Sequence, residues 1–373
     1  MSTIDKYRGC LIGGAAGDAL GYAVEFSRED QIAARYGAGG IRDYQLDDRG
    51  LAPFSDDTQM TLYTANGLLH AVTRGRLRGV LGPLRDYVSG FYVEWSRTQT
   101  EPYPLADHSA WISALPELFV PRAPGATCLS ACAVGAHGTP EEPINDSKGC
   151  GGIMRVAPAG LLAGPRGADG AAVQRLGAQL AALTHGHELG WLPAGVFAHI
   201  VSALAHGEAD SVRGAAEQAL AILPEAHPGA RRVGELQELM RLVLRLADST
   251  APDVEAIHQL GEGWVAEEAL AIALLCALRH EDDFEGTVVS AVNHSGDSDS
   301  TGAIAGNIVG ARLGLAGIPR RYTERLELAD VVLALADDLF TGCPITEYCP
   351  SPDGVWEHKY LPPMDYVEWK RGR

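Results

Sequence analysis

The chain has 373 residues, of which 46% are hydrophobic and 21% charged, with a formal charge of −18. That balance describes a globular protein with ample core and excludes a disordered one, which needs low hydrophobicity and dense charge. The acidic excess argues against sequence-independent binding to nucleic acid or to an anionic membrane.

In chain order, the start (Met1 to Gly9) is polar and has no signal-peptide core, and no apolar run reaches the ~18 residues of a membrane span. A reducing cytoplasm is the expected location. Gly9 to Gly21 is rich in small residues (Gly13, Gly14, Ala15, Ala16, Gly17). Helical spacing is predicted over Asp57–His70, where Met60, Leu62, Ala65 and Leu68–Leu69 mark one side. It recurs over Ala171–Leu183, Pro193–His206, Arg213–Leu223, Val233–Leu246, Glu267–Leu278, Thr301–Leu313 and Leu328–Phe340. Gly302, Gly306 and Gly310 fall every fourth residue in Thr301–Leu313. Glycine in a helix costs about 1 kcal/mol relative to alanine, so a face this bare predicts close backbone approach. The two smooth segments, Gly9–Gly21 and Thr301–Leu313, are expected to pack on each other near the middle of the molecule.

Loops are predicted at Gly37–Arg49, Pro121–Gly125, Gly135–Gly152, Gly164–Gly170 and Pro224–Arg231. Length alone suggests roughly two or three domains. Acidic clusters near residues 55 and 300 can share a site only in one body, so the expectation is one all-α domain over residues 1–342. Residues 343–373, rich in proline and aromatics, are read as an irregular strap on its surface. The seven cysteines show no zinc spacing and are expected to be free thiols, with Cys128 and Cys132 on one helix face.

Two short acidic clusters carry the chemistry: Ser55-Asp56-Asp57-Thr58 and Asp297-Ser298-Asp299-Ser300-Thr301. Each precedes a helical stretch, and helix capping accounts for either one alone. If the fold joins them, four carboxylates meet. Two bare carboxylates 4 Å apart repel by roughly 4 kcal/mol at an effective dielectric near 20, so protonation or a cation must neutralise the group. Hard oxygen ligands suit magnesium, manganese or calcium. The loop Ser147–Gly152 lets backbone N–H groups turn toward an anion, with Lys148 and Arg155 as nearby charge; Arg155 is equally read as structural.

The run from Gly9 to Gly21 with Glu25, followed by Ser55-Asp56-Asp57-Thr58, resembles the opening of the ADP-ribosylglycohydrolases. The resemblance continues through Arg122-Ala123-Pro124-Gly125, Ser147 to Arg155, Gly263 to Ala269, and Asn293 to Gly302. It implies an all-α orthogonal helical bundle with a binuclear magnesium or manganese cleft. By position, Ser55, Asp56, Asp57, Asp297, Asp299 and Ser300 correspond to metal ligands, and Glu25 and Asp57 to catalytic carboxylates. Gly125, Ser147, Lys148, Gly149, Cys150, Gly151 and His185 correspond to the substrate-binding set, with Cys150 standing where many members have asparagine.

The implied reaction is metal-assisted hydrolysis of the glycosidic bond between ADP-ribose and an acceptor, with protein arginine as the leading choice. Serine, O-acetyl-ADP-ribose and nucleobase linkages are the alternatives. The family also includes non-catalytic lens crystallins, which are expected to lose ligand aspartates; this chain keeps them. The second cluster also resembles a haloacid-dehalogenase phosphatase motif. That motif follows an apolar strand near the start of an α/β domain, whereas here Asn293-His294-Ser295-Gly296 precedes it.

Overall fold

A computed structural model describes residues 2–162, 169–346, 349 and 354–361. Helices follow one another as α1 (Thr3–Tyr22), α2 (Glu29–Tyr36), α3 (Asp56–Arg78), α4 (Leu84–Thr98), α5 (Ala126–Ala133), α6 (Ala157–Leu161), α7 (Gly170–Ala182), α8 (Glu188–His206) and α9 (Val212–Ala226). The second half adds α10 (Val233–Ala247), α11 (Asp253–Ile257), α12 (Ala266–Arg279), α13 (Phe284–Val292), α14 (Ser298–Leu313), α15 (Arg321–Glu324), α16 (Ala329–Thr341) and α17 (Val355–Tyr360). Among the described residues, β-type pairing is limited to three isolated bridges.

The two small-residue helices do pack on each other, and their register positions the site. A Cβ on Gly17 would stand 2.0 Å from the Gly302 carbonyl oxygen, and one on Gly306 the same 2.0 Å from that of Gly13. Only glycine permits this backbone-to-backbone approach, far inside ordinary van der Waals contact. The pairing is antiparallel: Gly9 meets Gly310 and Gly21 meets Ser298. The C-terminus of α1 therefore arrives at the N-terminus of α14.

Helix α8 lies deep in the core, buried from Leu189 to Ala205. A helix apolar on every side is stable only when surrounded, and α7, α9, α12 and α6 cover it. It is long and apolar enough to cross a membrane, contrary to the sequence expectation of no such run, but 94% of its most apolar window is buried inside the protein.

Several predicted elements change in extent. The Asp57–His70 helix continues to Arg78 before Gly79 turns left-handed at φ 69°. Helix α9 runs through Pro224 to Ala226, so the loop expected at Pro224–Arg231 begins later. Helices α2, α4 and α13 lie where none was predicted. The loop expected at Gly164–Gly170 falls largely outside the described residues. So do positions 347–348, 350–353 and 362–373 of the expected irregular strap. Its described part is not all irregular, since α17 anchors it: Trp356 Nε1 donates to Thr73 Oγ1 at 2.8 Å and Tyr360 Oη to Asp338 at 2.5 Å. Among the described residues no disulfide is formed, as expected, and Cys128 and Cys132 are both buried on α5.

Candidate active site

The first acidic cluster opens α3. Ser55 is its N-cap, the serine Oγ accepting the Asp57 N–H at 3.2 Å. The segment is gripped from outside as well. Asp18, wholly buried on α1, accepts the Ser55 N–H at 2.9 Å and, through its other oxygen, the Thr58 N–H at 2.9 Å and the Thr58 hydroxyl. Asp56 donates its N–H to the Arg122 carbonyl at 3.1 Å and accepts from the Gly125 N–H at 3.2 Å. The Arg122 guanidinium reaches the Phe54 carbonyl at 3.0 Å and is paired with the buried Glu327.

The second cluster opens α14. Asp297 caps it by accepting the Ser300 N–H at 3.2 Å, and Asp299 accepts the same N–H at 2.9 Å. Thr301 turns away, its hydroxyl lying 2.7 Å from the Asp297 carbonyl, 2.8 Å from that of Ala291 and 3.0 Å from His294 Nε2.

Both capping readings are thus correct, and yet both clusters reach one place. Asp56, Asp57, Asp297, Asp299, Ser300 and Glu25 line a single cleft of about 300 Å³. Gly125, Ala126, Thr127, Gly149, Cys150, Gly151 and His185 line the same cleft, and Gly125 and Cys150 touch the acids directly, through the Gly125 N–H on Asp56 and the Cys150 thiol beside Asp297. Ser55, Ser147 and Lys148 are close in sequence to lining residues but do not themselves line the cleft. Ser147 Oγ is 3.2 Å from Thr127 Oγ1, and Lys148 is paired with Glu267.

The charge balance is severe. Burial, with Asp299, Asp297 and Asp56 around it, pushes Glu25 up to about 10. Burial together with Asp299 raises Asp56, Asp57 and Asp297 well above the usual carboxylate range. Asp18 is raised to about 7 by burial and Asp299, against hydrogen bonds from Thr58 and Ser55. These groups cannot all ionise together without a compensating charge. Glu25, Asp57 and Asp297 each also have one buried oxygen with no hydrogen-bond partner. Among the described residues no three acid, imidazole or thiol groups are drawn into a ready coordination shell. The donor chemistry nevertheless fits hard divalent cations.

The glycine loop is less open to an anion than its composition suggests. The Cys150 N–H donates to the Trp264 carbonyl at 3.1 Å and the Gly149 N–H to Ser147 Oγ at 3.3 Å. The first-turn amides of α5, at Ala126 and Thr127, have no intrahelical acceptor and border the cleft. Gly151 is small by necessity, since a Cβ there would meet Cys128 Sγ at 2.7 Å and His185 Cε1 at 3.1 Å. His185 bonds Thr184 Oγ1 at 2.8 Å and is lowered to about 3 by burial and Arg155, so its ring is neutral near pH 7. Arg155 is structural: it is fully buried, 4.1 Å over the Tyr92 ring and 2.6 Å from Thr184 Oγ1.

Residues 1–347 match the ADP-ribosylglycohydrolase family. The chain belongs to that family. It is 26% identical over 369 residues to the ADP-ribosylhydrolase ARH3 of Danio rerio, spanning 90% of this chain and 89% of the relative. It is 25% identical over 355 residues to the ADP-ribosyl-[dinitrogen reductase] glycohydrolase of Rhodospirillum rubrum, spanning 90% and 98%. A solved structure titled ADP-ribosylglycohydrolase-related protein complex superposes with a TM-score of 0.61 at 27% identity, covering 91% of this chain and 99% of that one. This ADP-ribosylglycohydrolase is accordingly an enzyme, a hydrolase of glycosidic bonds, built on the family's all-α fold.

Sequence reasoning missed three parts of the glycohydrolase site. Asp18 was readable as the one acid within an otherwise uncharged run of small and apolar residues, Gly9 to Tyr22. Arg122 stands in the Arg122–Gly125 motif, but its pairing with Glu327, far along the chain, leaves no local signal. Phe26 and Trp264 line the cleft as exposed aromatics, and exposure is invisible in sequence.

Proposed function

We propose that this glycohydrolase removes ADP-ribose from a modified protein side chain, with arginine as the acceptor. The observation that supports it is the meeting of both acidic clusters and Glu25 in one cleft with Gly125–Thr127 and Gly149–Gly151. A Pseudomonas putida relative named an ADP-ribosylarginine hydrolase is 32% identical over 72 residues, 19% of each chain, which is in line with the arginine reading over that stretch alone.

Asp56, Asp57, Asp297 and Asp299, with the hydroxyls of Ser55 and Ser300, are the residues that would hold two divalent cations, magnesium or manganese. When bound, the cations supply the positive charge that lets these carboxylates ionise together, and Lewis acidity toward water and sugar hydroxyls. The chain's own residues do the rest. The first-turn amides of α5 and the Gly151 backbone face the pyrophosphate. Neutral His185 packs beside them without adding charge.

At the reacting end, a water oxygen bonds to the anomeric carbon as the bond to the guanidino nitrogen breaks, and the bonding pair leaves with nitrogen. Glu25 and Asp57, each with an unpaired buried oxygen, would take the water's proton once the cations' charge has ionised them as well. The departing guanidine nitrogen takes up a proton and leaves as guanidinium. The transition state is oxocarbenium-like and positive, and an acidic pocket favours it. The products are ADP-ribose and unmodified arginine.

The test is hydrolysis of a panel of arginine-, serine- and O-acetyl-linked ADP-ribose with magnesium and with manganese. Release from the arginine conjugate supports the proposal. Persistence of that label while another linkage is cleared overturns the choice of acceptor, and persistence on every linkage overturns hydrolysis of ADP-ribosyl conjugates altogether.

A further inference from the structure

Two exposed aromatic side chains sit together at the cleft. Phe26 is 75% exposed and Trp264 39%. Their rings stack with centroids 6.0 Å apart and planes 17° apart, and both line the same cleft as the acids. Leaving two aromatic faces in water forgoes burial that a core position would provide, so their joint placement at a mouth calls for a ligand.

Their anchorage tells which end of a substrate they meet. Phe26 directly follows Glu25. Trp264 follows Gly263, which holds φ 85° and packs so closely on α14 that a Cβ there would lie 3.0 Å from Thr301 Cγ2 and 3.4 Å from Asp297 Cβ. The Trp264 carbonyl is also tied to the Cys150 N–H at 3.1 Å. Phe26 therefore adjoins Glu25, and Trp264 adjoins a glycine packed on Asp297 and Thr301, so both stand beside the acids, at the reacting end. In an ADP-ribosyl conjugate the adenine is separated from the anomeric carbon by two riboses and a pyrophosphate. A platform beside the acids is too near that carbon to serve the adenine, and it faces the group on the other side of the scissile bond.

Resting on the hydrolase reading above, we infer that Phe26 and Trp264 form the acceptor subsite and select a planar cationic group. A guanidinium is flat, delocalised and weakly hydrated, and it stacks on aromatic faces while its edge bonds carboxylates. An alcohol or ester oxygen offers neither property. The pair is a specificity determinant, with no part in bond breaking.

Kinetics with magnesium on the full chain test this. Phe26→Ala and Trp264→Ala are expected to raise KM about five- to tenfold for arginine-linked ADP-ribose, the size of a partly desolvated cation–π contact. kcat and the KM for O-acetyl-ADP-ribose should stay within about twofold, and Trp264→Phe should retain most of the wild-type KM. Equal losses on both linkages, or no loss on arginine, overturn the inference. A readout independent of turnover is calorimetric binding of agmatine and of butylammonium to the magnesium-loaded protein. Agmatine should bind measurably more tightly, and the preference should vanish in the two alanine variants. Equal binding of both amines, or a preference that survives Phe26→Ala and Trp264→Ala, overturns it even if no linkage is hydrolysed, a result that would instead count against the hydrolase reading.

Discussion

The carboxylate of Asp18 accepts the backbone N–H of Ser55 at 2.9 Å, so one helix of the glycine pair caps the helix that presents Asp56 and Asp57. An acid from α1 thus does for α3 what a local cap does elsewhere. Asp18→Ala leaves two buried amides and a hydroxyl without their acceptor, and each such loss costs roughly 1–3 kcal/mol. The expected outcome in urea denaturation is a destabilisation of about 3 kcal/mol, with hydrolysis lost disproportionately. Asp18→Asn keeps one acceptor oxygen and should recover part of the stability. An Asp18→Ala protein as stable as wild type would show that Asp18 does not hold this helix start.

Without cations the acids oppose one another, because burial and mutual repulsion raise Asp56, Asp57 and Asp297 together. Magnesium should raise the wild-type Tm, and chelation should reverse the rise. Asp57→Asn removes one repelling charge, so the chelated variant should melt at or above the chelated wild type while losing the magnesium-dependent increase. Thermal melts of both proteins with magnesium and with EDTA decide it. A full magnesium response in Asp57→Asn would remove Asp57 from the cation-holding set.

Glycine matters by position. Gly306→Ala drives a Cβ onto the Gly13 carbonyl oxygen at 2.0 Å, backbone against backbone, where neither side can yield. Overpacking of this kind costs 1–3 kcal/mol or more, so a loss of about 3 kcal/mol or failure to fold is expected. Gly90, exposed within α4, has nothing within 4 Å of the same atom. Gly90→Ala should stabilise by about 0.5–1 kcal/mol. Denaturant midpoints of the two variants should move in opposite directions.

His227, away from the cleft, is lowered to about 4 by burial and by Arg175. A depressed histidine binds fewer protons folded than unfolded between that value and the ordinary 6.5. Its contribution is therefore complete above about pH 6.5 and is lost as pH falls toward 4. His227→Phe should lose less stability than wild type between pH 7 and pH 5 in matched urea titrations. Parallel slopes for the two proteins would show that His227 does not titrate in this window.

How much was legible varies by element. The every-fourth glycines announced the α1–α14 contact because a bare helical face has no other purpose worth its backbone entropy. Helix α4 went unread: its buried stripe of Val88, Phe91, Tyr92 and Trp95 is aromatic and β-branched, a composition with weak helix preference that tertiary packing overrides. Lys148 shows what a local motif leaves out. Its place in a glycine loop suggests charge near an anion, while its pairing with Glu267, on a helix more than a hundred residues later, leaves no mark in the loop's sequence.

The amino-acid order by itself determined the helical class, the two acidic helix starts and the small-residue faces, since each is a short-range property of neighbouring side chains. Tertiary structure alone decided that Gly21 meets Ser298, which brings Glu25 to Asp297 and Asp299, and that Phe26 meets Trp264. Those pairings depend on helix register and loop closure across the whole chain, which arise from the summed packing of the core and leave no trace in any local stretch.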